Sequence, residues 1–129
     1  MKKITALIVL LFISYIGFAQ NGPKIEIQQS NNTIDYGQVN KSSDNGIRNF
    51  TFTNNGDAPL SITGIQSTAS FTILYKPNQP IAPGKSDKIE IKYNMVPGPI
   101  RKTITLETNA VNYDGGRVPL KIKGEVLTN

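Results

Sequence analysis

Val118-Pro-Leu-Lys-Ile-Lys-Gly-Glu-Val126 decides the fold. Val118, Leu120, Ile122 and Val126 fall on one side of an extended chain, with Gly124 among them, and Lys121, Lys123 and Glu125 fall on the other. Successive side chains of a strand point to opposite faces, so this stretch has one dry face and one wet face, as an antiparallel sheet requires. A surface helix would need apolar residues at intervals of three and four, and no stretch after residue 19 supplies them.

The same period recurs upstream. Ile104 and Leu106 alternate with Thr103, Thr105 and Glu107, and Asp114-Gly115-Gly116 between the two stretches is hairpin chemistry. Ile89, Ile91 and Tyr93 alternate with Lys88, Glu90 and Lys92, between breaks at Ile81-Ala-Pro-Gly84 and Val96-Pro-Gly-Pro99. Phe71, Ile73 and Tyr75 form a further candidate, ended by Pro77 and Pro80. Phe50 and Phe52 alternate with polar neighbours up to Asn54-Asn55-Gly56, where an Asn-Gly step suits a tight turn and the chain is expected to double back. Leu60 and Ile62 then belong to the returning strand, and Gly64 interrupts the alternation as a bulge does. Ile25 with Ile27, and Ile34 with Tyr36, supply two short outer pieces. Breaks every eight to twelve residues and two dry faces to cover predict an immunoglobulin-like antiparallel β-sandwich of about seven strands.

The N-terminus has a different character. Lys2 and Lys3 precede an apolar run from Ile4 to Phe18, with Gly17 and Ala19 at the small-residue positions of a cleavage site. That layout predicts a cleaved signal peptide over residues 1–19 and a single domain over 20–129, exported to the periplasm or the exterior. The run is shorter than the roughly 18 apolar residues of a spanning helix, so no membrane span is expected in the mature chain. Losing Lys2 and Lys3 leaves twelve cations against nine carboxylates, which lowers the net charge from +5 to +3.

The chain has no cysteine and no histidine. Thiol chemistry, cysteine zinc sites and Ser-His-Asp or Cys-His catalysis are therefore excluded by composition. Carboxylates are the only acid–base groups left. Glu90, Glu107 and Glu125 sit on polar faces, and the aspartates Asp35, Asp44, Asp57 and Asp114 adjoin turns, where they bond the local backbone. Neither a phosphate-cradling glycine loop nor a calcium loop occurs. No enzyme, cofactor or metal is expected.

Phe50-Thr-Phe-Thr-Asn-Asn-Gly56 followed by Pro59-Leu-Ser-Ile62 resembles the opening of the exported family known as domain of unknown function 1573. Ile81-Ala-Pro-Gly84, Lys102-Thr-Ile-Thr-Leu-Glu-Thr-Asn109 and Leu120-Lys-Ile-Lys-Gly124 follow in the family's order, and the resemblance spans residues 34–126. It implies an Ig-like fold similar to Hydin-type modules and an exported setting, with no activity attached. Many members carry a Cys-Gly-Cys turn where this chain has Ser67-Thr-Ala-Ser70, so no role of those cysteines transfers.

Arg101, Lys102, Lys121 and Lys123 are the candidate binding patch, because pairing of the last two strands brings them together. Nucleic-acid surfaces interleave such charges with stacking aromatics, whereas Phe50, Phe52, Phe71 and Tyr93 here have core parity, so no nucleic-acid partner is expected. The expected role is a protein-interaction or structural module of the cell envelope whose partner is another envelope or secreted protein, engaged at a sheet edge. The Ile25–Ile27 strand and the Ser67–Tyr75 region are the candidate edges. A glycan-binding module is the alternative, although the chain lacks tryptophan.

Overall fold

The computed structural model describes residues 21–128, so the signal peptide read over residues 1–19 lies outside the described part. Among the described residues, eight strands build two sheets. The first sheet contains β1 (Ile25–Ile27), β3 (Ile47–Asn54), β6 (Ser86–Tyr93) and β5 (Phe71–Tyr75), in that order. In the second, β2 (Thr33–Asn40), β8 (Arg117–Leu127), β7 (Gly98–Thr108) and β4 (Ile62–Gln66) lie side by side. Among the described strands all neighbours are antiparallel except β2 and β8, which run parallel.

Period-two alternation places the core. Phe50, Phe52, Ile89 and Ile91 of the first sheet are fully buried against Ile104, Leu106, Val118 and Leu120 of the second, in one continuous cluster. Each such side chain contributes on the order of 1.5–3 kcal/mol by leaving water. Packing of this kind holds an Ig-like sandwich together without a disulfide.

Two local readings are corrected. The chain does not double back into a hairpin at Asn54-Asn55-Gly56, because β3 pairs with β1 and β6 while β4 pairs with β7 in the other sheet. The chain crosses between sheets here, and the fully buried Asn54 holds the crossing. Its amide nitrogen donates to the carbonyls of Ala58 (2.8 Å) and Ile81 (2.9 Å), and its oxygen accepts from the Gly56 N–H at 2.9 Å. Gly56 is required by close approach: a Cβ there would strike the Gly22 carbonyl and the backbone of Lys24.

Tyr75 does not share the inward face of Phe71. A bulge between Ile73 and Tyr75 shifts the register of β5 on β6, and Leu74 and Tyr75 end up exposed. The bulge expected at Gly64 is present, as a register shift between Ile62 and Gly64 against β7.

Candidate interaction surface

β7 and β8 pair without a break from Gly98↔Val126 to Glu107↔Arg117. Arg101 lies opposite Lys123 and Thr103 opposite Lys121, and all four are exposed on the outer face. β2 completes each row. Asp35 pairs with Lys123 and Thr33 with Lys121, so the outer face carries the rows Asp35–Lys123–Arg101 and Thr33–Lys121–Thr103. Lys123 Nζ lies 4.0 Å from an Asp35 carboxylate oxygen. Both groups are well exposed, so this ion pair adds little to stability.

Lys102 has the other parity. It pairs with Ile122, in phase with the buried Ile100 and Ile104, and is half-buried on the inward side. Three of the four candidate cations thus share the outer face and the fourth sits at the mouth of the sandwich. All four line one shallow depression with Thr33, Thr103 and Ile122.

The feature that sequence reading missed lies beside them. β7 is 11 residues long and its outer neighbour β4 only 5, and the β4 register ends at Gln66↔Thr105. Among the described strands none pairs with this side of β7 from Gly98 to Ile104. Parity identifies the groups that face the gap. The Asn109 N–H donates to the Ser61 carbonyl and the Glu107 carbonyl accepts from Thr63 Oγ1, so odd-numbered residues turn their backbone groups toward β4. The unbroken register carries that alternation back to Thr103, Arg101 and Pro99. Proline inside a sheet is found where its missing N–H faces solvent, and Pro99 obeys that rule on this edge alone.

The expected edges fare differently. The outer side of β1 is capped at Ile25, where the Asn112 side chain accepts from the Ile25 N–H (3.1 Å) and donates to the Ile25 carbonyl (3.0 Å), as a neighbouring strand would. β5 is a sheet edge, but it is short and bulged.

Residues 27–126 match the model of the family described as protein of unknown function (DUF1573). The chain belongs to that family. Among solved structures, this DUF1573 chain is similar to a protein of unknown function from Porphyromonas gingivalis W83, with a TM-score of 0.66 and 19% identity over 83% of this chain and 48% of that one. It is similar to the secreted serine protease VesC from Vibrio cholerae, with a TM-score of 0.53 and 21% identity over 90% of this chain and 25% of that one. PapD-like domain 7 of human CEP192 gives a TM-score of 0.53 at 14% identity, covering 82% of this chain and 87% of that one. At these identities the likeness establishes the fold, an Ig-like and PapD-like β-sandwich. The DUF1573 chain spans about half the P. gingivalis protein and about a quarter of VesC. No curated protein matches it.

The carboxylates of this DUF1573 domain are dispersed. Glu125 lies opposite Pro99 and Glu107 opposite Arg117, so they sit at opposite ends of the β7–β8 ladder, about 27 Å apart at roughly 3.4 Å per residue. Glu90 is on β6 in the other sheet. Paired-carboxylate hydrolysis of sugars requires two carboxyls about 5–10 Å apart. Among the described residues no three acidic side chains gather as a metal site would, and no helix is long and apolar enough to cross a membrane.

A polar cluster under the β2 end of the sandwich is well formed. Arg48 makes a bidentate pair with Asp44 (2.8 and 3.1 Å), and its guanidinium carbon stacks 4.2 Å from the centre of the Tyr36 ring. Arg48 holds the Asp44 carboxyl below its ordinary range, chiefly through that hydrogen bond. Burial pushes the Tyr36 hydroxyl up to about 12. Every member of this cluster is engaged with another part of the fold, which marks it as a clasp between the sheets.

Proposed function

We propose that this chain is a non-enzymatic Ig-like module of the cell envelope, exported by its leader, that acts by binding another envelope or secreted protein. The observation that carries this reading is the mismatch between outer and inner strands. Three of the four outer strands, β1, β4 and β5, have 3, 5 and 5 residues, whereas the fourth, β2, has 8 and the inner strands β3, β6, β7 and β8 have 8 to 11. Backbone donors and acceptors of inner strands are thereby left at an edge, where an extended chain can add to the sheet. The dispersed carboxylates and the absence of histidine and cysteine support a role without catalysis. The similarity to part of VesC, a secreted protease, supports an exported setting in which this fold serves as a module.

The test is capture. The tagged protein is incubated with an envelope extract from its own source, crosslinked, and the retained proteins are identified. One partner in stoichiometric yield is the expected result. A blank extract together with a positive glycan array would overturn the reading in favour of carbohydrate binding.

A further inference from the structure

We infer that the edge of β7 from Pro99 to Thr103 is the docking site for an acidic, extended segment of a partner protein, which joins the second sheet beside β7 as an added strand. This inference rests on the protein-binding reading and names the edge and the chemistry of the partner.

Backbone geometry supplies the first argument. Arg101 and Thr103 present N–H and C=O groups, and Pro99 a C=O, to a side of β7 where the described residues place no strand. These are the groups that a main-chain ladder needs, at the spacing of alternate residues. β4 already begins such a row at Thr105 and leaves the remainder unfilled.

Charge supplies the second. The outer row Asp35–Lys123–Arg101 runs negative, positive, positive, and the next place in it is the one an added strand would fill opposite Arg101. The adjacent row Thr33–Lys121–Thr103 contains a cation and no acid. Opposite charges directly across a sheet attract and like charges repel, so the added strand bears acidic residues opposite Arg101 and Thr103. Its intervening residue faces inward beside Lys102, a half-buried cation that an acidic neighbour would partner. Glu125 lies one row away, directly opposite Pro99, and that end of the added strand is therefore neutral or basic.

The same features argue against other occupants. A second copy of this edge would set Arg101 and Lys102 against their own counterparts, and an inward-pointing charge is a known device against such self-pairing. The sugar-phosphate backbone of DNA has no donors for the Pro99, Arg101 and Thr103 carbonyls, and that of RNA has no regular row of N–H donors to match them. The cations that block self-association thus select an acidic partner strand.

The probe is a labelled short peptide alternating glutamate with valine, compared with its counterpart carrying lysine in place of glutamate. The glutamate peptide is expected to bind saturably and the lysine peptide not. Thr103→Pro removes one edge donor at a position where no ladder bond is lost, and Arg101→Glu reverses the row; each should weaken binding by about tenfold or more. Lys88→Glu, on the other sheet, should leave binding unchanged. Circular dichroism checks that Thr103→Pro is folded, and Arg101→Glu with hydrogen exchange carries the test if it is not. On binding, the Arg101 and Thr103 amides should gain protection, whereas the Lys102 amide, turned toward β8, should be protected throughout.

No binding of the glutamate peptide overturns the inference. Binding weakened by Arg101→Glu but indifferent to Thr103→Pro overturns it as well, since that describes a polyanion surface without strand addition. A dimer in sedimentation that Thr103→Pro dissolves would assign the edge to a second copy. Capture of the same envelope partner by wild type and both variants would remove this edge while leaving the protein-binding reading in place.

Discussion

The Tyr36 hydroxyl donates to the Gly46 carbonyl at 2.6 Å, and this hydrogen bond ties β2 of one sheet to the segment leading into β3 of the other. Gly46 also accepts from the Tyr93 N–H at 3.0 Å, so its carbonyl keeps one partner if the hydroxyl is removed. Tyr36→Phe should therefore cost about 1 kcal/mol, at the low end for loss of a buried hydrogen bond, as read from urea unfolding at neutral pH. A loss above about 3 kcal/mol would show that the ring itself had shifted.

The same tyrosine sets an alkaline limit. Its hydroxyl titrates at about 12 in the fold against 10.0 in an open chain, because burial disfavours the phenolate. A raised value means that the protonated form is the one the fold stabilises. This contribution is complete below pH 10 and is lost as pH rises from 10 toward 12. The advantage of wild type over Tyr36→Phe should shrink and then reverse over that interval, since a raise of this size is worth more than the roughly 1 kcal/mol hydrogen bond, as measured by urea midpoints at stepped pH.

Asp44 acts in the opposite direction. Its carboxyl is held below the usual 3.8 by Arg48, so the ionised form is favoured in the fold. Its contribution is present above about pH 4 and is lost as pH falls through the lowered folded value. Asp44→Asn should flatten the acid limb of a stability–pH curve, and it should also move the upper end of the alkaline limb toward lower pH, because the Asp44 charge helps to raise the Tyr36 hydroxyl.

Asn54 is buried with its amide donors and its carbonyl oxygen all engaged. Asn54→Ala strips partners from the Ala58 carbonyl and the Gly56 N–H inside the sandwich, and should cost about 3 kcal/mol, one to three for each group left unsatisfied. Asn54→Asp should be worse, because it buries a charge beside the Ile81 carbonyl. Denaturant midpoints rank the two.

Two glycines separate steric contact from backbone strain. Gly124 has φ +142°, and a Cβ there would lie 2.8 Å from the Tyr36 Cβ and 2.9 Å from the Gly37 carbonyl oxygen. Gly84 has φ +83° with open space around it. Gly84→Ala should cost about 1 kcal/mol from the left-handed backbone alone, and Gly124→Ala about 1–3 kcal/mol more, since core backbone must move. Thermal unfolding of the two variants measures the gap.

Much of the sandwich was legible because burial follows parity. Val118, Leu120, Ile122 and Val126 are buried as their alternation requires, and so are Phe50, Phe52, Ile89 and Ile91. Parity does not say which sheet receives a strand, and Asn-Gly chemistry at residues 55 and 56 looks alike in a hairpin and in a crossing. The choice was made by the buried Asn54 amide, whose partner Ile81 is 27 residues away. Tyr75 was misplaced for a related reason, since a one-residue bulge at an exposed Leu74 inverts every face beyond it. Of the four cations, Arg101 and Lys123 are direct cross-strand neighbours and Lys121 lies in the next row on the same face, whereas Lys102 has the other parity. The unpaired edge beside them was invisible in sequence, because it exists only where a short β4 stops alongside a long β7. Pro99 was a usable signal, having been read as a break when it is a strand residue on an open side.

The parallel pairing of β2 with β8 gives the domain a mechanical direction. Six register pairs join them between Thr33↔Lys121 and Asn40↔Leu127. Tension entering at the start of β2 and leaving at the end of β8 pulls these parallel neighbours past each other lengthwise. The bonds are then loaded together in shear, whereas the β7–β8 hairpin pulled at its open end would unzip one pair at a time. A module tethered at both ends under strain would thus yield last where its early and late strands meet.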